Sequence, residues 1–275
     1  MVLNYITWEV DPEIFKIGFL SIRYYGLMFA AAFFFGYYFM SKIFKREGIP
    51  IETLDKLTIY VAVGTILGAR LGHCLFYEPS HFLSHPAEIF LPWKGVPFTD
   101  NFEFTGYQGL ASHGGALGIL LTLILFSRKT KLKFLWILDR VGIVTALGGF
   151  FIRMGNLFNS EIYGVKTSLP WGFIFKLRDE TVPKHPTQLY EAFSYLAIFI
   201  LLYWLYRKKY DKLNDGVLFS IFLVLLFTAR FLIEFVKEVQ ENFEEEMFLN
   251  MGQWLSIPFI IGGVILYLYC SKKKT

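Results

Sequence analysis

Seven apolar stretches, each near the length of a membrane helix, constrain this chain more than any other feature. They run Phe19–Met40, Thr58–Phe76, Gly109–Phe126, Ile137–Phe158, Leu189–Tyr206, Val217–Phe235 and Gly252–Cys270. A helix rising 1.5 Å per residue needs roughly 20 apolar residues to cross about 30 Å of hydrocarbon. Only 18% of the 275 residues are charged while 55% are hydrophobic, against about 25% and 45–50% in soluble domains. The sequence therefore predicts an all-α integral membrane protein with seven transmembrane helices in a single polytopic domain spanning 1–275. It shows no internal repeat, soluble domain or low-complexity tract.

The basic residues alternate with these spans. Lys42, Lys45, Arg46 and Lys56 follow the first. Arg128, Lys129, Lys131 and Lys133 follow the third. Arg207, Lys208, Lys209 and Lys212 follow the fifth, and Lys272, Lys273 and Lys274 follow the seventh. These segments hold 15 of the 27 Lys and Arg residues, and the opposite segments hold seven. The positive-inside rule then places the N-terminus outside and the C-terminus in the cytoplasm. The first 18 residues carry Glu9, Asp11 and Glu13 against Lys16, the wrong balance for the start of a signal peptide. The basic clusters form no stripe suited to nucleic acid. Cys74 and Cys270 stand apart, no HExxH-like spacing occurs, and neither a metal nor a cofactor is expected.

Five arginines remain in or beside the spans: Arg23, Arg70, Arg140, Arg153 and Arg230. A charge at membrane depth defaults to a functional reading. Arg153 falls roughly 24 Å along its span and Arg230 roughly 20 Å, both towards the outer side. Asn156, Asn159 and Glu161 follow Arg153; Tyr24 and Tyr25, His113, and the His185–Glu191 stretch start their spans on that side. One polar cavity in the outer half is the simplest inference, with Arg140 alone at the inner edge. Gly64, Gly68 and Gly72, like Gly114 and Gly118, have the small-xxx-small spacing that lets helices approach closely.

Each residue also has an ordinary reading. Arg230 and Glu234 are four apart and suit a self-neutralising structural pair. Arg153 has no acid one turn away, and Glu161 is two turns on. His113 stands in Ser112-His113-Gly114-Gly115, which leaves its imidazole open. His73 reads as packing, His81 and His85 as solvated loop, Gln253 as a helix start, and Glu241 with Glu244–Glu246 as a solvated outer loop. Arginines in a partly dry cavity suit a phosphate, and a neutral histidine nearby suits proton acceptance. A group-transfer enzyme, an anion transporter and a phospholipid-binding scaffold all fit those residues.

The ordered motifs narrow this. They are Tyr25-Gly26-Leu27; Gly68-Ala69-Arg70-Leu71-Gly72; His113-Gly114-Gly115; Arg153-Met154-Gly155-Asn156-Leu157-Phe158-Asn159-Ser160-Glu161 ending at Gly164; His185-Pro186-Thr187-Gln188-Leu189-Tyr190-Glu191; Arg230-Phe231 with Glu234-Phe235; and Met251-Gly252-Gln253 with Ser256-Ile257-Pro258. In this order they resemble the bacterial prolipoprotein diacylglyceryl transferases, from about Phe15 to Tyr269. The resemblance implies transfer of diacylglyceryl from phosphatidylglycerol to the lipobox cysteine thiol of a preprolipoprotein. A thioether forms and glycerol-1-phosphate leaves. It implies Arg153 as the phosphatidylglycerol-binding residue, Arg230 as the second essential arginine, and His113 as the group that helps deprotonate the thiol. Tyr25, Asn156, Glu161 and Gly164 would shape the site, Glu234 would sit in the lipid subsite, and residues of about 160–187 would form a small periplasmic head. The implied location is the bacterial inner membrane, with the active site facing the periplasm; the partners are phosphatidylglycerol, lipobox signal peptides and membrane lipid, with no nucleic acid. Ala69, Ile152, Leu226 and Phe227 depart from the usual family pattern. A non-catalytic phospholipid or anion binder, or a transporter, is the alternative.

Overall fold

The computed structural model describes residues 5–18, 20–91, 93–94, 99, 103–104, 109, 111–239 and 247–272. Its helices are α1 Tyr24–Arg46, α2 Ile51–Phe76, α3 Pro79–Ser84, α4 Ser112–Thr130, α5 Phe134–Phe158, α6 Thr187–Lys209, α7 Val217–Ile233 and α8 Met251–Lys272. The strands are short: β1 Ile6–Trp8, β2 Glu13–Ile17, β3 Leu20–Arg23, β4 Trp93–Lys94, β5 Glu103–Phe104 and β6 Phe173–Phe175. Each of the seven expected segments overlaps one long helix. Six of these helices, α1, α2, α5, α6, α7 and α8, are long and apolar enough to cross a membrane. The 19-residue α4 is not among the six. It opens on Ser-His-Gly-Gly and closes on Arg-Lys-Thr, and those polar ends dilute its apolar middle.

One expectation needs correction. The first span does not begin at Phe19: residues Leu20–Arg23 form β3, paired antiparallel with β2, and the helix starts at Tyr24. Gly18 at φ +60° makes the turn between the strands, a backbone conformation that glycine adopts without steric cost. The fold is mostly helical, as expected, and among the described residues three short two-stranded sheets accompany the helices. In one, β1 pairs in parallel with β6, joining residues far apart in sequence. The acidic run at Glu241 and Glu244–Glu246 lies outside the described residues.

The chain divides into two compact units, one of residues 44–137 and the other of residues 1–43 and 138–275. In the first unit the glycine steps of α2 and α4 meet each other. A Cβ on Gly72 would sit 2.7 Å from Gly114 Cα, and one on Gly68 would sit 2.8 Å from Gly118 Cα. Those distances leave no room for any side chain, so the two backbones are in direct contact. Arg70 is spent on structure: its Nε donates to Ile89 O at 3.0 Å and its Nη2 to Glu88 O at 2.7 Å, with Phe82 beneath it. His73 stacks on Tyr77 and faces Glu78, which agrees with a packing role. His81 is more engaged than a solvated loop residue: it lies in α3 and pairs with Glu88 at 2.8 Å.

In the second unit, α7 packs on α8 and α6. Its first turn is held by Asp139 of α5, whose carboxylate accepts the Gly216 and Phe219 backbone N–H groups at 2.8 and 2.7 Å. Those donors have no intrahelical acceptor, so a buried carboxylate at a positive helix end meets both needs. Arg140 balances this charge, 3.6 Å from Asp139 and 3.9 Å from Asp215. This arginine is therefore a staple at one end of α5, separate from the cluster at the other end. Replacing Asp139 with Ala leaves two backbone donors unmet and is expected to cost about 1–3 kcal/mol. The thermal unfolding temperature of the purified protein in detergent should fall accordingly, and an unchanged value would contradict the capping role.

Candidate active site

The polar end of α5 builds the site. Arg153 lies on its penultimate turn and Asn156 on its last. After the helix, Ser160 at φ 52° and Ile162 at φ 60° reverse the chain sharply. This reversal returns Glu161 towards the helix, and its backbone N–H donates to Asn156 O at 3.1 Å. The Glu161 carboxylate then accepts Asn156 Nδ2 at 2.8 Å and Asn159 Nδ2 at 3.2 Å. Arg153 Nη1 donates to Asn156 Oδ1 at 3.0 Å. Glu161 thus acts on Arg153 through the Asn156 amide rather than by stretching two turns back.

The acid that meets Arg153 directly comes from α6. Glu191 is fully buried, and its Oε2 lies 2.7 Å from Arg153 Nε. The N–H does not aim well at this oxygen, which takes no hydrogen bond of good angle. The contact is an ion pair held by charge and distance. The other oxygen, Oε1, faces Lys237 Nζ at 3.3 Å and the Tyr195 hydroxyl at 3.5 Å. Lys237 in turn pairs with Glu234 Oε2 at 3.0 Å. A continuous run of alternating charge results: Glu234, Lys237, Glu191, Arg153, then Asn156 and Glu161. Burial makes each link matter, since an unpaired ion in such surroundings is strongly unfavourable.

The four-residue spacing of Arg230 and Glu234 suggested a pair, but Glu234 is paired with Lys237 instead. The reason is local. Helix α7 ends at Ile233 and tightens into a 3₁₀ turn over Glu234–Val236. In that geometry residues three apart eclipse, which puts Lys237 over Glu234. Glu234 also nestles at the start of α8. A Cβ on Gly252 would come within 2.5 Å of its carboxyl carbon, and Asn250 Nδ2 donates to Glu234 O at 3.3 Å. Asn250 and Gln253 form a reciprocal capping box: Asn250 Oδ1 accepts Gln253 N–H and Gln253 Oε1 accepts Asn250 N–H. Gln253 is therefore a helix-start residue, as its position suggested.

Arg230 is left over. It is half-buried and makes no hydrogen bond or ion pair among the described residues. Tyr195 lies within electrostatic reach of both Arg153 and Arg230. A guanidinium carries five N–H donors, so Glu191, Asn156 and Tyr195 do not exhaust Arg153. Tyr25, on the first turn of α1, packs its ring against Gly155. A Cβ there would sit 2.9 Å from Tyr25 Cδ2. Its hydroxyl is within electrostatic reach of Glu161 and Arg153. Arg153, Asn156, Glu161, Glu234, Tyr25 and Arg230 thus belong to one neighbourhood. His113 belongs to the other compact unit, exposed on the first turn of α4, with no hydrogen bond or ion pair among the described residues.

The segment after α5 packs over this neighbourhood. Phe173 and Phe175 of β6 cluster with Leu157, and Trp8 Nε1 donates to Leu157 O at 3.1 Å. Gly164 N donates to His185 O at 2.8 Å, and Gly164 bridges to Lys237 in antiparallel fashion. Val165 N to Val236 O and Glu238 N to Tyr163 O complete the pairing. Lys184 joins Glu180 at 3.2 Å and Glu238 at 2.7 Å. Tyr163 donates to Glu180 at 3.0 Å; burial and that carboxylate push its hydroxyl up to about 12, so it remains a donor at any physiological pH. Burial lowers the pKa of His185, which holds its imidazole neutral against the Tyr190 hydroxyl at 3.1 Å.

Glu191, Lys237 and Tyr195 were not singled out as site residues by sequence. Tyr195 is one turn from Glu191, and Lys237 three residues from Glu234, but such spacings are common on any helix. Gly164 acquires a definite role, since a Cβ there would lie 2.7 Å from both His185 Cβ and Thr187 Cγ2. Gly164→Ala should push apart the two bridged segments that seat Lys237. It should lower the unfolding temperature and destabilise by about 1–3 kcal/mol, as overpacking does. Wild-type stability in a melting experiment would show that the pairing yields freely.

The chain is similar to known proteins over nearly its whole length. A family model described as prolipoprotein diacylglyceryl transferase matches residues 12–269. The chain is 46% identical to a phosphatidylglycerol--prolipoprotein diacylglyceryl transferase of Tolumonas auensis, over 98% of this chain and 99% of that protein. Proteins of the same name from Bacteroides fragilis and Chloroherpeton thalassium are 44% and 43% identical, over 98% of this chain and 97% and 96% of their own lengths. The match covers nearly the whole chain, and the chain belongs to the prolipoprotein diacylglyceryl transferase family.

Proposed function

We propose that this protein moves the diacylglyceryl group of phosphatidylglycerol onto the lipobox cysteine of preprolipoproteins. The observation that carries the reading is Arg230, a half-buried guanidinium without hydrogen-bond or ion-pair partner among the described residues, in a unit where Arg153 keeps donors to spare. A phosphodiester headgroup supplies the acceptors both lack. In the transfer, the cysteine sulfur attacks the glyceryl carbon that bears the phosphate. The carbon–oxygen bond breaks, a carbon–sulfur bond forms, and glycerol-1-phosphate departs with the electron pair. Arg153 and Arg230 stabilise the charge that gathers on the leaving phosphate. By family resemblance, His113 takes the thiol proton; its exposed and unengaged imidazole supports that assignment.

The same reading makes α4 a seventh span alongside the six apolar helices, in one membrane domain. The N-terminus is then outside, the C-terminus is cytoplasmic, and the segment of about 160–187 is a periplasmic head on a multi-pass protein of the bacterial inner membrane. Alternation of the basic clusters supports this orientation.

Purified protein with phosphatidylglycerol and a lipobox peptide should give a peptide carrying diacylglyceryl on its cysteine, detected by mass spectrometry. Arg153→Ala and Arg230→Ala should each reduce the rate at least about a hundredfold, the scale of losing a charge-stabilising donor. Lipid binding by folded wild-type protein without any adduct would make it a lipid binder instead. His113→Asn should flatten the rise of rate with pH that a general base produces; a profile unchanged in shape would remove His113 from proton transfer.

A further inference from the structure

Among the groups that the proposed chemistry leaves unused, Lys237 is the most heavily constrained. Its side chain is 3% exposed, yet it carries a full charge wedged between two carboxylates, Glu191 Oε1 at 3.3 Å and Glu234 Oε2 at 3.0 Å. Its backbone is fixed on both sides, by the bridge to Gly164, by Val165 N to Val236 O and by Glu238 N to Tyr163 O. The neighbourhood holds three cations, Arg153, Arg230 and Lys237, against three carboxylates, Glu161, Glu191 and Glu234.

We infer that Lys237 is a positioning residue for phospholipid binding: its ammonium, held between Glu191 and Glu234, shares Glu191 with Arg153 and so keeps Arg153 electropositive enough to take a phosphate. This rests on the reading that the site binds phosphatidylglycerol. Without the ammonium, Glu191 is a fully buried carboxylate whose remaining charged neighbour is Arg153, and the two collapse into a closed pair. Three carboxylates then face two arginines, and an anionic headgroup enters a neighbourhood that already carries excess negative charge. In low dielectric such an imbalance acts strongly over short distances. Lys237 does not touch the substrate; it acts through Glu191.

The test compares wild type with Lys237→Met, Lys237→Arg and the double variant Lys237→Met/Glu234→Gln, each checked for folding by thermal melting. Two readings are taken: equilibrium binding of phosphatidylglycerol to the protein in neutral detergent, with phosphatidylcholine as the comparison lipid, and the KM and kcat of transfer. Lys237→Met should weaken phosphatidylglycerol binding and raise KM about thirtyfold or more, the scale of stripping one partner from a buried charge pair. The effect on kcat should be smaller. Lys237→Arg should stay within a few-fold of wild type. The double variant should regain much of the lost affinity, because it removes one carboxylate along with the cation; a role in packing alone predicts no such rescue. Wild-type KM in Lys237→Met, or a folded double variant no better than the single one, overturns the inference. Should Lys237→Met fail to fold, Glu234→Gln alone decides: removing one competing carboxylate should tighten phosphatidylglycerol binding, and weakened binding contradicts the charge-balance argument. Wild-type protein that binds phosphatidylglycerol yet gives no adduct refutes the transferase reading and still leaves the binding comparison to judge Lys237.

Discussion

The contact between Arg153 and Glu191 is the constraint from which the second compact unit is best understood. A largely buried guanidinium needs a counter-charge, and Glu191 supplies one from a helix 38 residues further along the chain. The carboxylate is itself fully buried, so it draws in Lys237, and Lys237 draws in Glu234. Each ion solves the desolvation problem of the one before it. The run begins at Glu161, held by two asparagine amides, and ends on a carboxylate seated at the first turn of α8.

Backbone features of this unit serve that run. The two left-handed residues after α5 turn Glu161 back, and the 3₁₀ turn after α7 stacks Lys237 over Glu234. Gly155 makes room for Tyr25, Gly164 for the strand bridge to Lys237, and Gly252 for the Glu234 carboxylate. These glycines give up side chains where a charged or aromatic group must approach closely. The glycines of α2 and α4 do something different, because there backbone meets backbone, with the Thr122 hydroxyl beside Gly64, and no charged group is involved. Asp139 answers the same need as Glu191 at the other end of α5, taking up helix N–H donors beside Arg140.

Arg230 stands apart because it is not absorbed into this network among the described residues. Structural arginines in the chain, Arg70 and Arg140, are anchored by carbonyls or carboxylates. Arg153 is anchored but keeps donors free. This gradation, from committed to partly committed to uncommitted, is what the proposed phosphate-binding role rests on, more than depth along a span. Tyr195, within reach of both Arg153 and Arg230, marks where the uncommitted charge lies.

The sequence by itself determined the helices, because apolar length and interrupting charge are local properties that each segment carries alone. It also determined the glycine steps of α2 and α4, whose four-residue spacing is a property of one helix face, and it placed Arg153, Asn156 and Glu161 in succession at one end of a span, whereas the reversal that turns Glu161 back came only from the structure. It misjudged the start of α1, where Gly18 and the residues around it favour a hairpin, and it did not foresee the strand pairing of Ile6–Trp8 with Phe173–Phe175. Which acid neutralises which base was decided only in the tertiary structure. Glu191 meets Lys237 across 46 residues of chain, while the adjacent candidates Arg230 and Glu234 stay apart. The physical reason is that an ion pair depends on how helices are rotated and where they end to within an ångström or two, and spacing along the chain fixes neither.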